Sequence, residues 1–211
     1  MRHRERGAYD RDTVNAILDE ALVCHVGFVV DGVPMVLPTT HARVAELLYL
    51  HGAVTNRMLR SLQDGAPVCV TATLIDGLVL ARSAFRHSMN YRSVVILGSA
   101  REVTDEPEKR RAQTALVEHV MPGRAVLVRA PSPQELDATT VLAVPLTEAS
   151  AKIRTGPPLD VEADYALPCW AGVLPLQVTA LAPLPDPRLP PETAPPPGLS
   201  PWSRKTGASD G

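Results

Sequence analysis

Aromatic residues are scarce in this 211-residue chain: two Trp, four Tyr and two Phe make up 4% of it. Long apolar runs are missing too. None approaches the roughly 20 residues a membrane-spanning helix needs. Neither sign of charge dominates, with 21 Lys and Arg against 23 Asp and Glu. That balance gives no electrostatic footprint for nucleic acid or an anionic membrane surface. Cysteine is limited to Cys24, Cys69 and Cys169, with no CxxC pair. An odd count inside apolar segments predicts buried thiols in a reducing compartment. There is no GxGxxG, P-loop or GxSxG motif and no metal-type histidine spacing, which argues against Rossmann enzymes, NTPases and serine hydrolases. The N-terminal MRHRERGAYDRD is charged and precedes an amphipathic helix rather than a signal-peptide core, so a cytoplasmic location is expected.

What is present reads as one mainly β domain with short helices. Val14, Ile17, Leu18, Ala21 and Leu22 share one helical stripe, predicting a helix over 12–22. CHVGFVV (24–30) and VPMVLPTTHARV (33–44) flank Asp31-Gly32, a hairpin signal. ELLYLHG (46–52) is a third strand, followed by a helix over 55–65 ended by Gly65. VCVTATLI (68–75) and LVLAR (78–82) are expected to form a second hairpin around Asp76-Gly77. Residues 83–90 lack periodicity and read as a loop. YRSVVILGSAREV (91–103) reads as a long strand with a bulge at Gly98. Asp105 and Ser132 each begin a capping signal, and 107–120 is a helix body. Single extended segments are expected over 141–153 and within 165–178. Nine prolines fall in residues 183–211, predicting a disordered or polyproline-like tail. Antiparallel hairpins without regular strand–helix alternation point to a small barrel that hides its strand edges.

Four clusters could carry chemistry. In YLHGAVTNR (49–57) a strand meets a helix start, where free N–H groups and Arg57 and Arg60 suit a phosphate; an ordinary strand-to-helix turn explains it equally. In RHSMNYRS (86–93), alternation puts Tyr91 and Ser93 on one face and Arg92 and Val94 on the other, so Tyr91 or Arg92 should be half-buried and partnered. Trp170, between Cys169 and Gly172, could lie flat on a planar ligand or simply pack in the core. Pro38, Thr39 and Thr40, before His41, could offer polar groups at a barrel rim or form an exposed strand end.

Taken in order, DGVPMVLPTTHA, LLYLHGAVTNRMLRSL, HSMNYRSVVILGSAREV and PCWAGVLPL resemble the flavin-nucleotide-binding branch of the pyridoxamine 5′-phosphate oxidase-like superfamily, which includes the nitroimidazole-reductase (Nim) proteins. YLHG and NYRSVVILG are the most specific pieces, and the likeness spans roughly residues 12–180. The resemblance implies a split β-barrel homodimer with two FMN molecules at the subunit interface. It implies that Pro38, Thr39 and Thr40 line the isoalloxazine and that His51 and Gly52 sit beside it. Asn56 and Arg57 would approach the phosphate, Tyr91, Arg92 and Ser93 would lie on the neighbouring strand, and Trp170 and Gly172 would close the site from the partner subunit. Arg86 and His87 have no secure counterpart.

The expected function is an FMN-dependent oxidoreductase passing electrons to a small acceptor, a nitro-aromatic being one candidate, with His51 as catalytic donor. The electron donor is open, NAD(P)H being one candidate. A non-catalytic flavin-storage or redox-sensing protein is an alternative, as is a haem-binding split barrel with His51 as axial ligand. Haem and deazaflavin F420 are the alternative cofactors to FMN. The expected organisation is an arm over 1–11, a barrel over 12–182 and a tail over 183–211. Because the tail lacks core-forming residues, deleting 183–211 should leave the thermal midpoint and the bound ligand unchanged, as read by calorimetry and ligand extraction.

Overall fold

Asp31 and Gly32 both have positive φ, 53° and 77°. This is the left-handed pair a two-residue hairpin needs, because its twist matches that of the strands it joins. It connects β2 (Cys24–Val30) to β3 (Val33–Thr39), registered from Cys24 opposite Thr39 to Val30 opposite Val33. The computed structural model describes residues 7–196 and residue 199. The expected N-terminal arm therefore lies partly outside the described residues, as does the expected tail beyond 196. Residues 183–196 form no helix or strand.

The chain forms two units, one of residues up to 74 with 91–155, the other of 75–90 with 156 onward. The first holds two antiparallel sheets. One runs β1 (Gly7–Ala8), β10 (Glu148–Arg154), β7 (Ser88–Ser99), β6 (Pro67–Leu80), β2, β3. The other runs β4 (Ala42–Val44), β5 (Leu47–Ala53), β9 (Thr139–Pro145), β8 (Arg101–Glu102). Both sheets contribute to one apolar core with Leu48, Leu50, Val70, Ile96 and Leu142 at its centre. Each such side chain stabilises the fold by about 1.5–3 kcal/mol on burial.

Helices close this core. In α1 (Arg11–Glu20) the Asp10 carboxylate accepts from the Thr13 amide at 2.8 Å, and Val14, Ile17 and Leu18 are buried. In α2 (Arg57–Leu62) Met58, Leu59 and Leu62 face inward. In α3 (Glu106–Val120) Asp105 accepts from the Glu108 amide at 2.9 Å, and in α4 (Pro133–Asp137) Ser132 and Glu135 form the expected capping box. The Tyr49 hydroxyl donates to Glu108 at 2.8 Å, tying α3 to β5; burial and that carboxylate push its pKa up to about 12. No helix among the described residues is long and apolar enough to cross a membrane.

Several sequence expectations change: the run 33–44 is split between β3 and β4 in different sheets, and β7 begins at Ser88 inside the expected loop 83–90. Asp76-Gly77 is not a turn: β6 runs unbroken through it. In the second unit β11 (Gly172–Pro175) pairs with residues 77–80. A Cβ at Gly77 would lie 3.0 Å from Val173 Cγ1 and 3.1 Å from Leu174 O, so this glycine admits a close neighbouring strand. The segment 141–153 is divided after Pro145 between β9 in the smaller sheet and β10 in the larger one, which do not pair with each other. The segment 91–103 is divided at buried Ala100 between β7, which continues through Gly98, and β8 in the other sheet.

The second unit has its own polar anchor. Buried Asp160 accepts from the Arg82 amide and from Arg82 Nη1, each at 3.2 Å, and the guanidinium lies 4.9 Å above the Tyr165 ring. Gly77→Ala should crowd β11, a change of the kind that costs about 1–3 kcal/mol in a packed site. Hydrogen exchange at the amides of 172–174 should then accelerate while exchange in β2 stays unchanged.

Candidate functional site

The β5–α2 corner gathers the first cluster. His51, near the end of β5, pairs with Val141 of β9 and is half-buried. Its Nδ1 is buried and has no hydrogen-bond partner among the described residues. Loss of solvent holds its pKa below the ordinary 6.5, so the ring is neutral at pH 7. Gly52 lets α2 approach: a Cβ there would sit 3.0 Å from Leu59 Cδ1. The Asn56 side-chain oxygen caps α2 by accepting from the Leu59 amide at 3.2 Å, so only its NH2 is left to offer a ligand. Arg57 is 66% exposed and holds Asp31 at 3.5 Å, a loose surface pair that leaves its charge accessible. A cleft of about 560 Å³ is lined by Thr55, Arg57, Arg60, Ser61, Gln63 and Asp64. His51 and Gly52 are not among its walls.

The rim and strand residues divide by role. Pro38 is exposed and Thr39 and Thr40 are half-buried, at the end of edge strand β3 far from its Asp31-Gly32 tip. That separates them from the Asp31–Arg57 pair by about 20 Å along the strand. In β7 the alternation settles which residue turns inward. Arg92 does, and its guanidinium grips Glu20 at the end of α1 through two bonds of 2.5 and 2.9 Å. The two side chains are 16% and 13% exposed. Tyr91 turns to the other face, where Lys152 Nζ lies 5.9 Å from its ring centroid. Ser93 Oγ donates to Lys152 O at 3.3 Å.

Trp170 and Gly172 belong to the second unit. Trp170 is 69% exposed, not core. Its ring covers Gly172 so closely that a Cβ there would sit 2.9 Å from Cζ2 and Cη2. Cys169 is exposed as well, contrary to the expectation of three buried thiols; it follows a short helical turn and lies in no strand. Cys24 is buried in β2, and that burial pushes its thiol up to about 12.

A half-buried, partnered Arg92 was expected, but the identity of two partners carried no signal in sequence. The Arg82–Asp160 pair joins residues 78 apart, and the Arg92–Glu20 pair residues 72 apart; no local spacing encodes either. No group of three or more His, Cys, Asp or Glu among the described residues could hold a bare metal ion. The residues do fit an organic cofactor. His51 Nδ1 has no partner among the described residues, Arg57 has accessible charge, and the β3 rim offers backbone and hydroxyl groups.

With this geometry the family is clear. The pyridoxamine 5′-phosphate oxidase family matches residues 10–153, and the chain belongs to it, with the family's mainly β, split-barrel fold. Flavocytochrome Anf3 from Azotobacter vinelandii superposes with a TM-score of 0.87 at 42% identity, over 93% of this chain and 92% of that one. The FAD and heme binding protein from Mycobacterium smegmatis superposes with a TM-score of 0.88 at 35% identity, over 92% of this chain and 95% of that one. A Bacteroides thetaiotaomicron protein named for 5-nitroimidazole antibiotic resistance aligns at a TM-score of 0.59 and 25% identity, over 70% of this chain and 86% of that one. No curated protein matches the chain.

Arg92→Ala should remove both bonds to Glu20 and lower stability by about 1.5–3 kcal/mol, the worth of a hydrogen bond to a charged group, as read by urea denaturation. The His51 pKa is depressed in the fold, so the unfolded chain binds that proton more readily. Stability therefore rises with pH through the window just below 6.5 and is lost on acidification. His51→Gln should flatten that acid limb in a series of melts across pH.

Proposed function

We propose that this chain is a redox protein that binds a flavin and a haem together. The observation that carries this reading is the whole-chain likeness to two proteins named for both groups, at 42% and 35% identity over more than nine tenths of the chain. The family match stops at residue 153, so that likeness extends through most of the remaining segment. Bound flavin and haem would supply the electron transfer; the protein supplies position, charge and exclusion of water.

FMN and FAD share the isoalloxazine and the first phosphate, so the residues expected for FMN serve either. The name of the Mycobacterium smegmatis protein puts FAD first. In this reading Arg57, with Arg60 behind it, neutralises a phosphate, and the Asn56 amide adds a donor. His51, kept neutral by burial, gives a hydrogen bond at the ring through its unpartnered Nδ1, and Pro38, Thr39 and Thr40 border the ring edge. Tyr91 and Ser93 present the adjoining strand face, and Trp170 over Gly172 of a second copy closes the site as a flat apolar lid. Arg92 acts indirectly, by fixing β7 against α1. Residues 12–182 hold the cofactors, and 183–211 is a dispensable tail.

A homodimer follows from the same reading. Ring-side and phosphate-side residues lie at opposite ends of β3, and that seven-residue edge exposes Val33, Val36 and Leu37, a face a second copy can cover. A second reading, a flavin-only reductase of small nitro-aromatics fed by NAD(P)H, is favoured by the Bacteroides thetaiotaomicron neighbour.

Purified full-length protein, denatured and analysed by mass, should release one flavin and haem b, with a pyridine haemochrome spectrum. Flavin alone would favour the reductase; neither would sink both readings. Arg57→Ala should weaken flavin retention by about 1.5–3 kcal/mol, the worth of a hydrogen bond to a charged group, in a fluorescence titration.

A further inference from the structure

We propose that His87, on the loop joining β6 to β7, is an axial ligand of the haem; this rests on the flavin-and-haem reading above. The loop carries a single 3-10 turn, Ala84–Arg86, with His87 at its end. His87 Nδ1 lies 3.0 Å from Ser83 O. A carbonyl only accepts, so Nδ1 carries the proton and Nε2 holds an outward lone pair. Ligating histidines are oriented in the same manner, with the remote N–H given to a carbonyl that fixes the tautomer and raises basicity.

Other histidines are less suited. His41 and His119 direct Nε2 to Leu18 O and Ala21 O, at 2.9 and 2.8 Å. No such carbonyl holds His51, whose Nδ1 is buried without a partner. His25 has no hydrogen bond among the described residues to fix its tautomer, and His3 lies outside them.

The flanking residues supply what a haem needs besides iron ligation. Phe85 is 83% exposed, an apolar ring turned to water with no core to fill. Burying it against a macrocycle removes that cost. Arg86 follows, its guanidinium 5.8 Å from the Phe85 centroid, a charge within reach of a propionate beside the same ring. Met89, also exposed, extends the apolar strip.

The test uses full-length wild type, His87→Ala, His87→Gly and His51→Ala, each titrated with hemin and followed by absorption and electron paramagnetic resonance. We expect His87→Ala to bind hemin at least about tenfold more weakly, since losing even an outer partner of a ligand costs that much. Its Soret position and electron paramagnetic resonance g-values should differ from wild type while its thermal midpoint holds, because the residue is exposed. Added imidazole should restore the wild-type spectrum of His87→Gly. An unchanged spectrum and affinity in His87→Ala would overturn the assignment and leave the proposed function standing, as would loss of the band in His51→Ala alone. A wild type that takes up no hemin would overturn both.

Discussion

Unpaired strand edges are the hazard of a β-rich chain, because a row of free N–H and C=O groups invites other strands to add on. The arrangement of both sheets follows from that constraint. In the larger sheet one edge is β1, only two residues long, and the other is β3, interrupted by Pro34 and Pro38. In the smaller sheet the edges are β4 and β8, of three and two residues. The long strands β6 and β7 are kept inside the sheet path, flanked on both sides.

That solution dictates where polar chemistry can sit. Between two apolar sheet faces, the few inward polar groups must be paired or capped. Arg92 meets this requirement with Glu20 and Tyr49 with Glu108, while in the second unit Asp160 is paired with Arg82. His51 Nδ1 does not meet it, and it lies at the strand end where the chain leaves the barrel for α2. An unsatisfied buried nitrogen near the end of the strand and an accessible arginine at the helix start both fall in this corner. Of the exposed rings, Phe85, Tyr165 and Trp170 belong to the second unit and Tyr9 to the first.

Local chemistry was well legible in the sequence. The Asp31-Gly32 hairpin, the Asp105 and Ser132 caps and the apolar stripe of α1 depend on neighbours within a few residues, and each formed as expected. The same local rules misled at Asp76-Gly77. A dipeptide that favours a turn becomes continuous strand when a distant segment, here β11, pairs across it and needs the missing Cβ. Periodicity likewise could not place the break after Pro145, because only long-range pairing assigns β9 to the smaller sheet and β10 to the larger.

By itself the amino-acid sequence determined the family resemblance, the β-rich class and the set of candidate side chains, because alternation, caps and turns are written in adjacent residues. Only the tertiary structure decided their fates. It turned Arg92 inward to Glu20, left Arg57 accessible, orphaned His51 Nδ1 and aimed the His87 lone pair outward. Each of these outcomes depends on which distant groups supply or withhold a hydrogen bond, and that is settled by packing across tens of residues rather than by spacing along the chain.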